Sequence, residues 1–306
     1  MTYKIKVAFL SALVVILALI YILILVFDRD YRRSDVFAWL DPGLIVMADR
    51  IEITGTAGRI ALNRRNNNWF FDAGNIELPV RQSRVDDLFT LLSGRAVYPV
   101  RAASPAAIDR LGLAEGTAHR ILVRGGAGLP LLDLLIGGED VLGREVYLRM
   151  SGRNQIHSGE GDFTFFTNLS PIAWYDLRLF QPFNVEVVQQ ADLNLPGGEA
   201  FSLRRSGAGW VILGENVSIE PLRVEAWLRA VIEMQGDDFV FDAPPENIDG
   251  SITLRLGDGS TRVLEVGRIY EEERWLATVG GTSLVYSLSD WNFNRIFRDS
   301  AHFVRD

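Results

Sequence analysis

The chain has 306 residues, no cysteine, and 31 basic against 39 acidic residues, for a net charge of −8. Missing cysteine removes disulfides, thiol catalysis, thiolate metal sites and lipid-modified cysteines. The negative balance argues against a nucleic-acid partner, which needs a concentrated basic surface.

The first element is apolar. No charge occurs from Val7 to Phe27, where only Ser11 and Tyr21 are clearly polar. As a helix at ~1.5 Å per residue the stretch spans about 31 Å, close to the hydrocarbon thickness of a bilayer. The segment is too long for a signal-peptide core, and Ile24-Leu-Val-Phe-Asp-Arg-Asp30 offers no small-residue cleavage site. The reading is therefore an uncleaved single-span anchor within residues 1–33, with the lipid bilayer as its first partner. Ala8, Ser11, Ala12 and Ala18 are candidates for close helix packing, because small side chains let backbones approach. Lys4, Lys6 and the amino terminus before the segment nearly balance Arg29, Arg32 and Arg33 after it, so charge leaves the membrane side open. No lysine follows Lys6, which removes Schiff-base and P-loop lysines from the rest of the chain.

The remaining chain repeats itself, and repeats are sought before single motifs. Ile60-Ala-Leu-Asn-Arg-Arg-Asn-Asn-Asn-Trp69 aligns without a gap on Phe201-Ser-Leu-Arg-Arg-Ser-Gly-Ala-Gly-Trp210, matching Leu62 with Leu203, Arg64 with Arg205 and Trp69 with Trp210. Alternation, a polar turn and resumption at Trp predict a β-hairpin in each copy. A helix follows each hairpin. Val85, Leu88, Phe89 and Leu92 fall at i, i+3, i+4 and i+7, as do Val224, Trp227, Leu228 and Val231; each stripe predicts a helix lying on a sheet. Pro79 and Pro221 precede them.

Only the first copy has Ser104-Pro105 through Leu111-Gly112-Leu113, a short helix with Ser104 as N-cap and Gly112 as stop. Ile121–Gly137 and Ile252–Gly267 then read as strands around glycine turns. Glu145–His157 and Arg274–Tyr286 read as hairpins turning at Ser151-Gly152 and Gly280-Gly281. Each copy closes on an aromatic stretch, Phe163 to Tyr175 and Trp291 to Phe297. The expected fold is α+β: an N-terminal transmembrane helix, then two duplicated units of antiparallel or mixed sheet, each with a covering helix. The units are placed at 34–182 and 183–306, joined near Pro182.

No catalytic, cofactor or metal set is expected. His119, His157 and His302 lack the spacing of a helix-borne zinc site. Gly125-Gly-Ala-Gly128 is followed by a strand, so it reads as a hairpin turn rather than a phosphate loop. Ser158 has no nucleophile-elbow context. Asp237-Asp238 and Glu271-Glu-Glu273 read as solvated loops. Trp69, Trp210, Trp291 and Phe293 are the candidate contact residues, as an aromatic platform or an apolar protein contact, set against core packing.

The run from Trp69 through the Val85 helix to Ala107-Ile-Asp-Arg-Leu-Gly-Leu113, and on to Leu135-Ile-Gly137 and Tyr147, resembles the DUF4340 family, with Leu111 where many members have an aromatic. The resemblance implies a membrane-anchored bacterial protein encoded beside an ABC-type transporter and its gliding-motility-like auxiliary subunit. It carries no catalytic residues. The implied role is a non-enzymatic accessory subunit of an ABC-type transport system at the bacterial inner membrane. Its domain would be extracytoplasmic and its partner a transporter permease or auxiliary subunit. The alternative is an extracytoplasmic glycan- or peptide-binding module.

Overall fold

The computed structural model describes residues 16–21, 35–74, 76–207, 209–241, 247–269 and 274–305. Residues 16–21, which include Ala18, are helical and exposed. The rest of the apolar Val7–Phe27 segment, with Ala8, Ser11 and Ala12, lies outside the described residues, as do Pro244, Pro245 and Glu271–Glu273. Among the described residues no helix is long and apolar enough to cross a membrane.

The chain divides into two compact units, Met1–Tyr175 and Asp176–Asp306. Antiparallel sheet dominates both, and helices are few, which makes the described chain a sheet-rich α+β protein.

The strands of the first unit are β1 (Val36–Phe37), β2 (Ala48–Gly55), β3 (Gly58–Arg65), β4 (Asn68–Asp72), β5 (Glu77–Pro79), β6 (Ala96–Val97), β7 (Val100–Ala102), β8 (His119–Gly125), β9 (Leu129–Glu139), β10 (Glu145–Met150) and β11 (Ile156–Glu160). Nine form one sheet in the order β5-β4-β3-β2-β8-β9-β10-β11-β7; β1 and β6 pair separately. The strands alternate as the pattern requires: Ile51 and Ile53 of β2 are fully buried, and Glu52 between them is not. Helix α1 (Gln82–Ser93) buries Val85, Leu88, Phe89 and Leu92, the expected stripe, together with Arg84. Trp69 on β4 packs against Phe89 at 5.7 Å between ring centres. Two short helices follow, α2 (Pro105–Arg110) and α3 (Phe163–Phe166). Ser104 has the extended backbone of an N-cap at α2, but its side chain makes no capping hydrogen bond.

The second unit contains β12 (Val188–Asn194), β13 (Ala200–Ser206), β14 (Gly209–Ile212), β15 (Asp238–Val240), β16 (Gly250–Leu256), β17 (Thr261–Ile269), β18 (Arg274–Val279) and β19 (Val285–Leu288), ordered β14-β13-β12-β16-β17-β18-β19-β15. Helix α4 (Pro221–Ile232) buries Val224, Trp227, Leu228 and Val231, again the expected stripe, and α5 (Asp290–Ile296) closes the unit.

Apart from β5, the two sheets have the same strand order. The correspondence reaches single residues. Trp69 stands opposite Arg64 in one hairpin and Trp210 opposite Arg205 in the other. Arg64 donates to the Ala48 carbonyl and Arg205 to the Val188 carbonyl, each at the first residue of its strand. The register slips just after both acceptors.

Residues 176–182, which sequence reading put with the first unit, bond into the second. Arg178 bridges Gln235, the Leu179 amide donates to the Met234 carbonyl, and the Gly236 amide donates to the Leu177 carbonyl. They occupy the place that residues 35–40 hold in the first unit, where the Tyr98 amide donates to the Asp35 carbonyl and the Leu40 amide to the Leu92 carbonyl.

Candidate functional site

Helix α5 is held in a fixed orientation. Ser289 caps it, and Phe293 and Ile296 turn inward. Phe293 lies parallel between Trp275, 3.7 Å away between ring centres, and Phe297 at 4.7 Å. The Trp227 indole N–H of α4 donates to the Ile296 carbonyl at 2.7 Å, and the Trp275 indole N–H donates to Asp290 at 2.9 Å. A helix with one face so fixed must present the other to solvent. That face carries Trp291, 69 % exposed, and Arg295, whose guanidinium lies 5.6 Å from the Trp291 ring centre.

Arg295 faces a cleft of about 530 Å³ that also receives Arg229 and Glu233 from the end of α4, and Arg178, Phe183 and Gln235. Arg178 is tied to Asp176 by two hydrogen bonds, at 2.8 and 2.5 Å. Donation to the Asp176 carboxylate is the chief reason its guanidinium is held above its ordinary pKa. Neither Arg229 nor Arg295 has an ion pair among the described residues. The cleft therefore offers two free guanidiniums, one fixed guanidinium and an adjacent indole. That combination binds carboxylate or phosphate groups and, on protein surfaces, is typical of interface centres.

The matching groove in the first unit lies between α1 and α3 and has the opposite character. Asp87, Thr90, Leu91, Asp162, Phe165 and Phe166 line about 410 Å³ there. Phe165 is 58 % exposed. Arg84 lies against it, its guanidinium 4.1 Å from the Phe165 ring centre.

Of the four aromatic residues picked out as contacts in the sequence, only Trp291 is exposed. Trp69, Trp210 and Phe293 are buried, because the hairpin and the closing helix each turn that side chain onto its unit's core. They pack the core and do not offer a surface. The arginines of the cleft were not singled out in the sequence. Their signal is present as the i, i+4 spacing of Trp291 and Arg295, but nothing local places Arg229 beside them.

The other polar candidates sit in structural surroundings, although the buried His119 Nδ1 has no hydrogen-bond partner among the described residues. His157 Nδ1 is 2.7 Å from the Tyr98 carbonyl, and its ring meets Phe37 and Trp39 edge-on. The His119 ring fills the space where a side chain at Gly55 would stand. His302 is held below its usual pKa by burial first and then by Arg298 and Arg223. Ser158 is fully buried and accepts from Arg101 at 2.9 Å. Asp237 accepts from the Ser289 amide and from Asn292 at the start of α5. Gly126–Gly128 forms the turn between β8 and β9. Among the described residues no group of three or more His, Asp or Glu could hold a metal ion.

Residues 69–251, more than half of the chain, match a family described as "Domain of unknown function (DUF4340)". No curated protein and no solved structure matches the chain.

Proposed function

Because the chain belongs to the DUF4340 family, we propose that it is a non-enzymatic, membrane-anchored accessory subunit of an ABC-type transport system. In this reading residues 7–27 are a transmembrane helix, the N-terminus is cytoplasmic, and the two sheet units stand outside the cytoplasm at the bacterial inner membrane. The units descend from one duplicated ancestor, which their shared strand order supports. The partner is a permease or auxiliary subunit of the transporter.

The observation that carries the reading is the cleft of the second unit. Unpaired Arg229 and Arg295 beside exposed Trp291 form the kind of surface that dominates protein contacts energetically. The apolar N-terminal segment supports the rest, since tethering turns a weak contact with a membrane partner into an effectively intramolecular one.

Complementation of a deletion strain tests this reading with three forms: the full chain, residues 34–306 exported by a cleavable signal, and those residues on an unrelated transmembrane helix. The expected outcome is rescue by the full chain and none by the untethered form. Full rescue by the untethered form rejects the tethered subunit. Failure of the unrelated helix assigns specific packing to the natural one, through Ala8, Ser11, Ala12 and Ala18. A cytoplasm-only reporter fused after Asp306 that proves active reverses the topology.

The exposed indole of Trp291 also favours a second reading, a glycan- or peptide-binding module. Binding of a soluble glycan or peptide that is lost in Trp291→Ala supports it over the subunit role.

A further inference from the structure

One end of the first unit is uncharged where the same place in the second carries Glu186 and Asp258. Pro42–Met47 forms a short 3-10 segment of 6 residues with none buried, and Val46 and Met47 are 75 % and 49 % exposed. The turn leads into β2, whose first residue Ala48 stands opposite Gly125. Gly125 in turn stands opposite Leu129 across the β8–β9 hairpin. The two turns are therefore neighbours: a side chain at Gly125 would come within 2.8 Å of the Met47 carbonyl. Residues 126–130 are all exposed, Leu129 by 54 %.

No charge occurs from Pro42 to Ala48 or from Gly125 to Leu132. Charged residues border the tip, with Asp41 capping its 3-10 turn. Arg64 and Arg124 donate to the Val46 and Gly128 carbonyls, each at 3.2 Å, and Asp41 and Asp49 flank the 3-10 turn. Ala127 has φ +57°, a conformation usually left to Gly, Asn or Asp. Alanine there keeps the turn apolar.

The second unit shows what a water-facing version looks like. Its 3-10 turn Val185–Val187 is capped by Asn184, as the first unit's is by Asp41, and Val187 is 41 % exposed, but the turn itself carries the charged Glu186. The Gly257 amide donates to the Val187 carbonyl, so the β16–β17 turn is the matching neighbour. There Asp258 accepts from the Ser260 amide and hydroxyl, at 2.8 and 2.7 Å. Two units of the same strand order thus differ at this end in whether water is a good solvent for it.

We propose that the tip formed by Pro42–Met47 and residues 126–130 is a membrane-contact surface seated in the headgroup region of the bilayer. The inference rests on the anchor reading, which supplies the occupant. Only residues 28–41 separate the apolar segment from the tip. At ~3.3–3.6 Å per residue they reach about 50 Å at most, so the lipid surface is the apolar phase always within range. Apolar side chains backed by arginines suit that boundary, where carbon enters the acyl region and guanidiniums stay with the headgroups.

The absence of native cysteine makes single-site labelling clean. The full chain is reconstituted into vesicles of phosphatidylethanolamine and phosphatidylglycerol. Each sample carries an environment-sensitive fluorophore on one of Val46→Cys, Leu129→Cys, Ser260→Cys or Ala18→Cys. Labels at 46 and 129 are expected to shift to the blue and lose most of their emission to a lipid-borne quencher, with little loss to aqueous iodide. The label at 260 is expected to do the reverse. Iodide quenching at 46 and 129 equal to that at 260 overturns the inference. So does shielding from both quenchers, which places protein, such as a second copy, over the tip. The label at 18 scores the anchor separately. If it is lipid-quenched while 46 and 129 are not, the tip inference fails and the anchor stands. If it is not, the anchor reading fails, and 46 and 129 still decide the tip.

Discussion

The Arg84 guanidinium lies 4.6 Å from the ring centre of Trp174, and both residues are buried. Arg84 also donates to the Phe165 carbonyl at 2.7 Å. Burial, then the charge of Arg81, holds its guanidinium below the ordinary arginine pKa. One side chain on α1 thus fastens the closing aromatic segment by stacking and hydrogen bonding together. Arg223 on α4 likewise donates to the Val304 carbonyl at 3.0 Å.

Arg84→Ala should destabilise the first unit by about 2–4 kcal/mol, from lost stacking on buried Trp174 and a lost hydrogen bond to the part-buried Phe165 carbonyl. Arg84→Lys should recover little, because an ammonium cannot stack flat and hydrogen-bond in that geometry. Thermal melts of the three proteins test this; a lysine variant melting with the wild type would show that charge alone suffices.

Leu88 and Leu228 are fully buried in the stripes of α1 and α4. Leu88→Asp and Leu228→Asp should each destabilise by on the order of 4 kcal/mol, since each places an unpaired carboxylate in an apolar core. Amide exchange should locate the loss in the unit carrying the substitution.

Gly137 has no room for a side chain: a methyl group there would sit 2.3 Å from the Leu111 carbonyl and 2.8 Å from Leu113 Cγ. Gly137→Ala should destabilise by about 3 kcal/mol through overpacking. Gly126, with nothing within 4 Å of such a group, should accept alanine without change. A denaturant titration of both variants makes the comparison.

Asp192 gives an acid-side pH dependence. Burial works against its ionised form, but hydrogen bonds from Gln190, Ser202 and Arg255, at 2.6, 2.7 and 2.9 Å, hold its pKa below the ordinary value. A depressed folded-state pKa gives stability that is fully present above the unfolded value, near ~3.9. It is lost as pH falls through the lower folded value. Asp192→Asn should therefore be less stable than wild type at neutral pH, with the difference shrinking as the solution is acidified. Glu52 stands at the matching position of the first sheet. Burial raises it, and Arg50, Arg59 and Arg124 bring it below the ordinary glutamate value. Glu52→Gln should behave the same way. Melting temperatures across the acid range decide both.

The covering helices, the hairpins at Trp69 and Trp210 and the turns at Gly152 and Gly281 were legible in the sequence, because each depends on spacing within one element. An i, i+3, i+4, i+7 stripe marks one face of a helix for burial whatever element it packs against. The membership of residues 176–182 was not legible, since their partners are Gln235, Gly236 and Met234, far along the chain. Nor was the choice that turns Phe293 inward and Trp291 outward, which follows from the Trp275 stack and the Trp227 hydrogen bond. The convergence of Arg229 with Arg295, and of Val46 with Leu129, also belongs to the tertiary structure alone. Periodicity states which face of an element avoids water. Only strand pairing and packing between distant residues decide which exposed groups share one neighbourhood.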